Sequence, residues 1–143
     1  MRYFLFFAMV WLFVACEDKL IQNNKQVIIS GQKWYEEIDT ARKLAKKEHK
    51  NLLVMVSEDH CRWCIKMEEE TLTHLPIQQK LKNYILVSIK RSDKKSTKKL
   101  DGFDGNIPSF FFIEPQTGFS ESIIGYYEAT SFLDYLTEIE NDR

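Results

Sequence analysis

Two cysteines separated by two residues lie where one sequence pattern gives way to another. Cys61 and Cys64 follow a continuous apolar run over residues 52–56, which predicts a buried β-strand. They precede a stretch without Gly or Pro that extends to Pro76 and predicts a helix. Cys61 is therefore expected at the N-terminus of this helix, with Cys64 one turn later on the same side. At that spacing the two sulfurs can form a disulfide bond.

The expected position of Cys61 favours thiol–disulfide exchange. A thiolate attacks disulfides, and the free N–H groups and dipole at the start of a helix stabilise negative charge and lower the pKa of a cysteine there. Arg62 adds a positive charge beside this sulfur. Such a pair can attack a substrate disulfide through the first sulfur and release the substrate through the second.

A Cys-x-x-Cys pair also has other uses. Structural zinc usually takes four ligands, but this chain has three cysteines and no second pair, and attachment of a c-type haem needs a His where the chain has Ile65. Two alternatives stay open. One is a Cu(I)-binding chaperone, because soft thiolates suit Cu(I) and His60 adjoins Cys61; the other is an interaction module whose pair is unused. The favoured interpretation requires no metal and no diffusible cofactor.

The first fifteen residues have the pattern of an export signal. A basic residue is followed by an uninterrupted apolar run over residues 3–14 and by a small residue, and the run is short for a membrane span. The stretch 13–16, Phe-Val-Ala-Cys, resembles the lipobox of bacterial lipoprotein signals, although most lipoboxes carry Leu or another aliphatic residue in place of Phe13. The resemblance implies that Cys16 becomes the lipidated first residue of the mature protein.

We therefore divide the chain into three parts: a lipoprotein-type signal peptide over residues 1–15, a lipid-anchored tether over residues 16–29 and one domain over residues 30–143. Secretory cleavage near Cys16 without lipidation, or an uncleaved anchor, is the alternative. Either way the expected location is the periplasm, which is an oxidising space, and lipidation at Cys16 would hold the protein to a membrane.

The composition predicts a folded globule, because 44% of the residues are apolar and 13% are aromatic. A net charge of −1 gives no reason to expect a nucleic-acid partner. Basic residues are concentrated over residues 90–99. We interpret this segment as a solvated loop and helix face, with contact to anionic lipid head groups as the alternative.

Hydrophobic periodicity predicts the remaining elements. A short strand is expected over residues 27–29, followed by Ser30 as a possible N-cap of an amphipathic helix of about four turns that starts near Trp34. Later segments alternate between apolar runs typical of strands and helical spacing, and Pro108 stands at the start of one such strand, where it is tolerated. The predicted strands cover residues 52–56, 84–89, 107–113 and 120–124, and the predicted helices cover residues 62–72, 77–82 and a C-terminal segment capped by Thr130 or Ser131.

The order of these elements, together with three local features, resembles the thioredoxin superfamily. The features are the Cys61-Arg62-Trp63-Cys64 motif after a buried strand, Ile107-Pro108 before an antiparallel hairpin, and Gly125 before the last helix. The run Cys64-Ile65-Lys66-Met67-Glu68 resembles the exported, thioredoxin-related branch of that superfamily. The resemblance implies an α/β fold, a three-layer α/β/α sandwich with a central mixed β-sheet.

The resemblance also implies roles for the site residues. Cys61 would be the exposed nucleophile and Cys64 the buried resolving thiol. Pro108 would lie against the pair and leave the Ile107 backbone free to pair with a substrate strand, and Trp63 would offer an apolar contact. The implied partners are protein disulfides or dithiols. By analogy with the family, the implied role is that of a reductase supplied with electrons by a membrane redox partner.

One position departs from the family pattern. Classical thioredoxins carry a buried Asp on the strand before the motif, and the matching residue here is Met55. Another group must therefore take the proton from Cys64 during resolution. Our hypothesis is that Glu58, Asp59 or water does so.

Overall fold

The computed structural model describes residues 24–142, which form six strands and five α-helices, with one π-helical turn that continues the second helix. In chain order the elements are β1 (Gln26–Ile29), β2 (Gln32–Tyr35), α1 (Ile38–Glu48), β3 (Asn51–Ser57), α2 (Arg62–Lys66), the π-helical turn (Met67–Thr71), α3 (Leu75–Leu81), β4 (Tyr84–Lys90), α4 (Lys94–Thr97), β5 (Ser109–Ile113), β6 (Ser120–Ile124) and α5 (Ala129–Asn141).

The strands form one mixed sheet in the order β1-β2-β4-β3-β5-β6. Strands β2, β3 and β4 run parallel, whereas β1, β5 and β6 pair antiparallel to their neighbours. The connection from β3 through α2 and α3 to β4 is the strand–helix–strand unit that the sequence predicted. Every residue of β3 from Leu52 to Ser57 is buried, because neighbouring strands flank it and helices cover both faces of the sheet.

Alternating side chains of the strands supply two hydrophobic cores, one on each face of the sheet. In β5, Phe110 and Phe112 point into the core beneath α3 and α5, whereas Phe111 and Ile113 point into the core beneath α1. The predicted three-layer α/β/α sandwich with a central mixed sheet is therefore confirmed. No helix within residues 24–142 has the length and hydrophobicity needed to cross a bilayer.

The prediction for the start of α1 was wrong. Trp34 lies in β2, and the helix begins four residues later at Ile38. Its cap is Glu37 rather than Ser30. The carboxylate of Glu37 accepts the N–H of Thr40 at 3.3 Å. The spacing of four residues between Trp34 and Ile38 fits a helix. Here the same spacing arises because Trp34 is the one buried side chain of a short strand and Ile38 is the first residue of the helix that follows.

A hairpin precedes this helix. The short strand predicted over residues 27–29 is confirmed and covers Gln26–Ile29, which pairs with β2 through a turn at Ser30 and Gly31. Residues 26–29 therefore belong to the sheet, and their assignment to the tether was wrong. The predicted signal peptide, Cys16 and the first part of the tether lie outside the described residues.

The direction of β1 determines where the chain reaches the domain. Gln26 is the register partner of Tyr35, which is the partner of Val87 in β4. Because β1 runs antiparallel to β2 and β2 runs parallel to β4, β1 starts toward the end of the sheet at which β3 and β4 finish. The backbone of Lys25 continues the pairing there, because its carbonyl accepts the N–H of Glu36 at 3.0 Å.

The C-terminal helix matches its prediction except at its start. Phe132, Leu136 and Ile139 are buried as their spacing predicted. The helix begins at Ala129 after Glu128, which makes no side-chain capping hydrogen bond, so neither Thr130 nor Ser131 is the cap.

Candidate redox site

The Cys pair lies where the central strand gives way to α2. Cys61 is the N-cap residue of α2, with extended backbone angles, and its Sγ accepts the N–H of Cys64 at 3.2 Å. The two cysteines form a disulfide bond, with their Cα atoms 5.2 Å apart. The predicted placement of the pair is therefore confirmed, and the structure describes the oxidised form of the site.

The two sulfurs differ in exposure. Cys61 is partly exposed, whereas Cys64 is 1% exposed and faces the protein interior. A substrate from solvent therefore reaches Cys61 first. The same hydrogen bond that caps α2 through Cys61 would stabilise its thiolate after reduction, because N–H groups at a helix start lack acceptors within the helix.

A shallow groove lies beside the pair. Its volume is about 310 Å³, and the predicted contact residues Trp63, Ile107 and Pro108 line it together with Gly125 and Tyr126. The peptide bond between Ile107 and Pro108 is cis. We call this feature the cis-proline groove. The structure thus brings all three predicted substrate contacts together, although their role in binding stays a prediction.

The backbone beside the groove is available to a partner strand. Pro108 is buried, and its carbonyl accepts the N–H of Gly125 at 2.7 Å. The N–H and carbonyl of Ile107 make no hydrogen bond with any residue of the described chain. An extended polypeptide could therefore pair with Ile107 while its cysteine approaches Cys61.

The two acids that we proposed as proton acceptors are engaged elsewhere. Hydrogen bonds from Ser92 and from the backbone N–H of Asp59 lower the pKa of Glu58. Asp59 pairs with Lys90 at 2.7 Å, and this hydrogen bond and charge lower the pKa of its carboxyl. Glu58 is partly exposed, Asp59 is exposed, and both are weak bases, which makes them poor acceptors for the proton of the buried Cys64.

Glu68 is a candidate acceptor that the sequence reasoning missed. It lies four residues after Cys64, a spacing that places two side chains on the same side of a helix. Glu68 is half-buried, and this burial raises the pKa of its carboxyl, while the charge of Lys90 partly offsets the increase. The available signal was the spacing Cys64-x-x-x-Glu68, but sequence proximity drew attention to the acids before the pair.

A cavity lined by Glu68 gives its carboxyl access to water. The cavity has a volume of about 610 Å³, and Glu68, Ser57, Ser88 and Lys90 line it together with residues of β1 and of the loop after β4. It opens at the same end of the sheet as the Cys pair. A proton accepted by Glu68 could therefore leave through this cavity.

Between residues 24 and 142 there is no group of three or more His, Cys, Asp or Glu side chains that could hold an ion. Both sulfurs of the Cu(I) alternative are joined to each other in this oxidised form.

Comparison with known proteins identifies the family. A family model described as thioredoxin-like matches residues 33–115, more than half of the chain. The chain therefore belongs to the thioredoxin-like family. No curated protein sequence matches it.

Solved structures show the same fold at low sequence identity. The C-terminal domain of DsbD from Neisseria meningitidis, in its oxidised form, is 22% identical, with a TM-score of 0.59 over 71% of this chain and 91% of that domain. A thioredoxin from Thermus thermophilus is 21% identical, with a TM-score of 0.59 over 74% of this chain and 85% of the thioredoxin. A disulphide isomerase from Xylella fastidiosa Temecula1 is 15% identical, with a TM-score of 0.57 over 72% and 88% of the respective chains.

Family and site together define the class of protein. The chain is a thioredoxin-like thiol–disulfide oxidoreductase whose redox centre is the Cys61–Cys64 disulfide at the start of α2.

Proposed function

We propose that this protein reduces protein disulfides in the bacterial cell envelope. The observation that carries the proposal is the unequal pair at the start of α2. Cys61 is accessible and caps the helix, whereas Cys64 is enclosed and already bonded to it. This arrangement supplies an attacking sulfur on the outside and a resolving sulfur on the inside.

The reaction begins with the reduced protein. The Cys61 thiolate attacks one sulfur of a substrate disulfide, forming a mixed disulfide and releasing the other substrate sulfur as a thiolate. Cys64 then loses its proton and attacks Cys61, which releases the second substrate sulfur and forms the Cys61–Cys64 disulfide. Two electrons pass to the substrate, and a second dithiol protein must return the oxidised pair to its reduced form.

Three groups assist these steps. The substrate strand pairs with the free backbone of Ile107 across Pro108, and Trp63 contacts its apolar side chains. Glu68 accepts the proton of Cys64, supported by its position four residues away and by its burial. The burial raises the pKa of Glu68, which makes its carboxylate a stronger base than a solvated one.

The N-terminal sequence supports the location. The signal-like residues 1–15 and the lipobox-like stretch that ends at Cys16 favour export and lipidation. The envelope is an oxidising compartment, so a reductase there requires electrons from the cytoplasmic side. A membrane redox protein is the partner that this requirement points to.

The experiment uses residues 17–143 and a disulfide substrate such as insulin. Cys61→Ser should abolish reduction, whereas Cys64→Ser should accumulate mixed disulfides that a thiol-trapping gel detects. Insulin reduction by Cys61→Ser at the wild-type rate would contradict the assignment of the nucleophile. Cu(I) bound stoichiometrically without any disulfide exchange would favour the chaperone alternative.

Titration against glutathione buffers decides the direction of electron flow. A reductase should have a reduction potential near that of thioredoxin, about −270 mV, whereas an oxidase should lie closer to about −120 mV. A value at the oxidising end would overturn the reductase assignment and leave the exchange chemistry in place.

A further inference from the structure

The turn of the β1–β2 hairpin is tied to the helix that follows the Cys pair. Ser30 and Gly31 form this two-residue turn, with φ angles of 51° and 78°, as in a type I′ turn. The hydroxyl of Ser30 donates to the backbone carbonyl of Glu68 at 2.5 Å. Because Glu68 lies in the π-helical turn, four residues after Cys64, this hydrogen bond joins an edge of the sheet to the segment that carries the redox centre.

The π-helical turn explains why the carbonyl of Glu68 needs this donor. In a regular α-helix the N–H of Leu72 would donate to Glu68, four residues earlier. Here it donates to Met67 at 2.9 Å, which is the five-residue step of a π-helix. The carbonyl of Glu68 thereby loses its helical partner, and an unpaired backbone carbonyl away from water is costly. The Ser30 hydroxyl takes the place of the missing N–H.

Two glutamines hold the turn in place. The side-chain amide of Gln78, on α3, donates to the Ser30 carbonyl at 2.7 Å, and the amide of Gln32, on β2, donates to the Gln78 carbonyl at 3.1 Å. Both amide contacts connect the hairpin with α3. Within the described chain, the hydrogen bond from Ser30 is the one that connects the hairpin with the π-helical turn.

The turn itself does not require a serine. Gly, Asn and Asp are preferred where the first central residue of such a turn has a positive φ, and other side chains adopt this conformation at a cost. The contribution specific to Ser30 is therefore its hydroxyl.

The hairpin also contributes to the surroundings of the Glu68 side chain. Val27, Ile28 and Ile29 of β1 line the same cavity as Glu68, and Glu68 is half-buried there. Burial raises the pKa of this carboxyl, so contact with the hairpin makes its carboxylate a stronger base.

We propose that Ser30 is a positioning residue for the resolving step: its hydroxyl holds the backbone of Glu68 against the hairpin and thereby directs the Glu68 carboxylate toward the proton of Cys64. This inference rests on the proposed role of Glu68 as proton acceptor. In the mixed disulfide, the Cys64 thiol gives its proton to Glu68, and the Cys64 sulfur then attacks Cys61 and releases the substrate thiolate. Ser30 exchanges neither protons nor electrons in this step.

Ser30→Gly removes the hydroxyl and preserves the turn, because Gly adopts a positive φ without strain. The full chain, purified in detergent, is reduced and mixed with a peptide disulfide, and acid-quenched samples are analysed for the mixed disulfide. Formation of the mixed disulfide should keep its wild-type rate. Its decay should slow by roughly 5-fold, the effect expected for loss of one hydrogen bond of ordinary strength.

Thr73→Ala is the matched control. The Thr73 hydroxyl also donates to carbonyls of the π-helical turn, those of Glu69 at 2.8 Å and Glu70 at 3.3 Å, but it makes no hydrogen bond with Glu68 in the described structure. Its removal should leave both rates unchanged. Urea midpoints of both variants report any loss of folding.

A double-mutant cycle distinguishes positioning of Glu68 from a general loss of structure. If Ser30 acts through Glu68, Ser30→Gly should slow the decay of the mixed disulfide in the wild-type background and have no further effect in the Glu68→Gln background. Slowing by the same factor in both backgrounds would overturn the proposal.

The pH dependence of stability gives a readout that needs no exchange, measured on the oxidised protein. Because the pKa of Glu68 is raised above 4.5 by folding, the free energy of unfolding should fall as pH rises from 4.5 through the folded pKa. In Ser30→Gly the carboxyl should be more solvated, so its pKa should return toward 4.5 and this fall should become smaller. Both proteins retain the charged groups around Glu68, which are Lys90, Glu69, Lys25, Glu36, Glu37 and Asp93.

The outcomes separate this inference from the proposed function. Decay at the wild-type rate in Ser30→Gly, combined with slow decay in Glu68→Gln, would overturn the role of Ser30 alone. Decay at the wild-type rate in Glu68→Gln would contradict the proposed proton acceptor, and with it this role of Ser30. If wild type forms no mixed disulfide, the exchange chemistry is contradicted, and an unchanged pH dependence in Ser30→Gly would then overturn the positioning of Glu68 separately.

Discussion

At the scale of single residues, the chemistry depends on the difference between two sulfurs three positions apart. Cys61 lies at the surface, where substrate and solvent reach it, whereas Cys64 is enclosed and can lose its proton only to a nearby group or an ordered water. With Met55 on the strand where classical thioredoxins carry Asp, the nearest partly buried carboxyl along the helix is that of Glu68.

We expect Glu68→Gln to slow resolution. The first attack by Cys61 should continue, because the helix start that stabilises its thiolate is unchanged. Release of the substrate should slow by roughly 10²-fold, the low end for loss of a general base, so mixed disulfide should accumulate in quenched-flow samples. Glu138→Gln, an exposed change on α5, is the control and should leave both steps unaffected.

The same variant has a measurable signature in stability. Burial raises the pKa of Glu68 above 4.5 in the folded protein, so its ionised form opposes folding. The contribution from protonated Glu68 is fully present below pH 4.5 and is lost as pH rises through the folded pKa. The free energy of unfolding should therefore fall over this window in wild type relative to Glu68→Gln. Parallel urea titrations of the two proteins across the window would contradict the assignment.

The sequence revealed some of these residues and not others. Cys61, Cys64 and Pro108 could be found because spacing and neighbouring runs mark them locally. Tyr126 could not, since its contact with Trp63 joins segments 63 positions apart and exists only after folding. Glu58 and Asp59 were chosen for sequence proximity, but their partners are Ser92, just after β4, and Lys90, the last residue of β4.

At the scale of elements, the β1–β2 hairpin is the main difference between prediction and structure. Long apolar runs such as β3 and β4 could be assigned from sequence because burial on both faces requires them to be continuous. Strand β2 has four residues, of which only Trp34 is fully buried, so it shows no strand alternation long enough to outweigh helical spacing. Its pairing with β4 is a tertiary contact that the local sequence does not encode.

Trp34 should anchor this hairpin to the domain. It is fully buried and packs in the same core as Leu53 and Phe110. Trp34→Ala should lower the free energy of unfolding by about 3–5 kcal/mol, the cost typical of a large aromatic removed from a core. Urea denaturation followed by circular dichroism measures this change.

Ile28→Ala is the matched control on the adjacent strand. Ile28 is 62% exposed, so its truncation should change the free energy of unfolding by no more than about 0.5 kcal/mol. A loss of similar size for both variants would show that disturbance of the hairpin, rather than loss of the buried indole, lowers the free energy of unfolding.

At the scale of the whole molecule, the fold followed from rules that act over the entire chain. The β3–α2–α3–β4 unit fixes a parallel pair, and the apolar runs around Pro108 and before Gly125 add the antiparallel hairpin. The N-terminal edge of the domain was harder to predict. Strand β1 follows a polar stretch, so it resembles part of a tether until its register with β2 is known. The domain consequently begins at β1 rather than at residue 30.

The direction of β1 predicts how an anchored molecule would be oriented. If Cys16 carries a lipid, as we propose, the chain reaches the domain at the end that holds the Cys pair. A fluorophore on Arg91→Cys, at that end, should transfer energy to acceptor lipid head groups more efficiently than one on Gln116→Cys, which lies in the turn after β5 at the opposite end. Both labels require a Cys61→Ser, Cys64→Ser background so that they react at one thiol.

A matched sample separates anchoring from adsorption. Residues 24–143, which lack Cys16, should show no transfer from either position on vesicles of the same composition. Equal transfer from both labels in the lipidated protein would exclude the proposed orientation.

The short distance between Cys16 and β1 has a kinetic consequence. Nine residues separate them, and a fully extended chain of that length spans at most about 30 Å. If Cys16 is lipidated, as we propose, this short tether would confine the domain to a thin layer above the bilayer and raise its effective concentration toward any electron donor embedded there. Turnover would then require only a weak, fast-dissociating encounter between the two proteins.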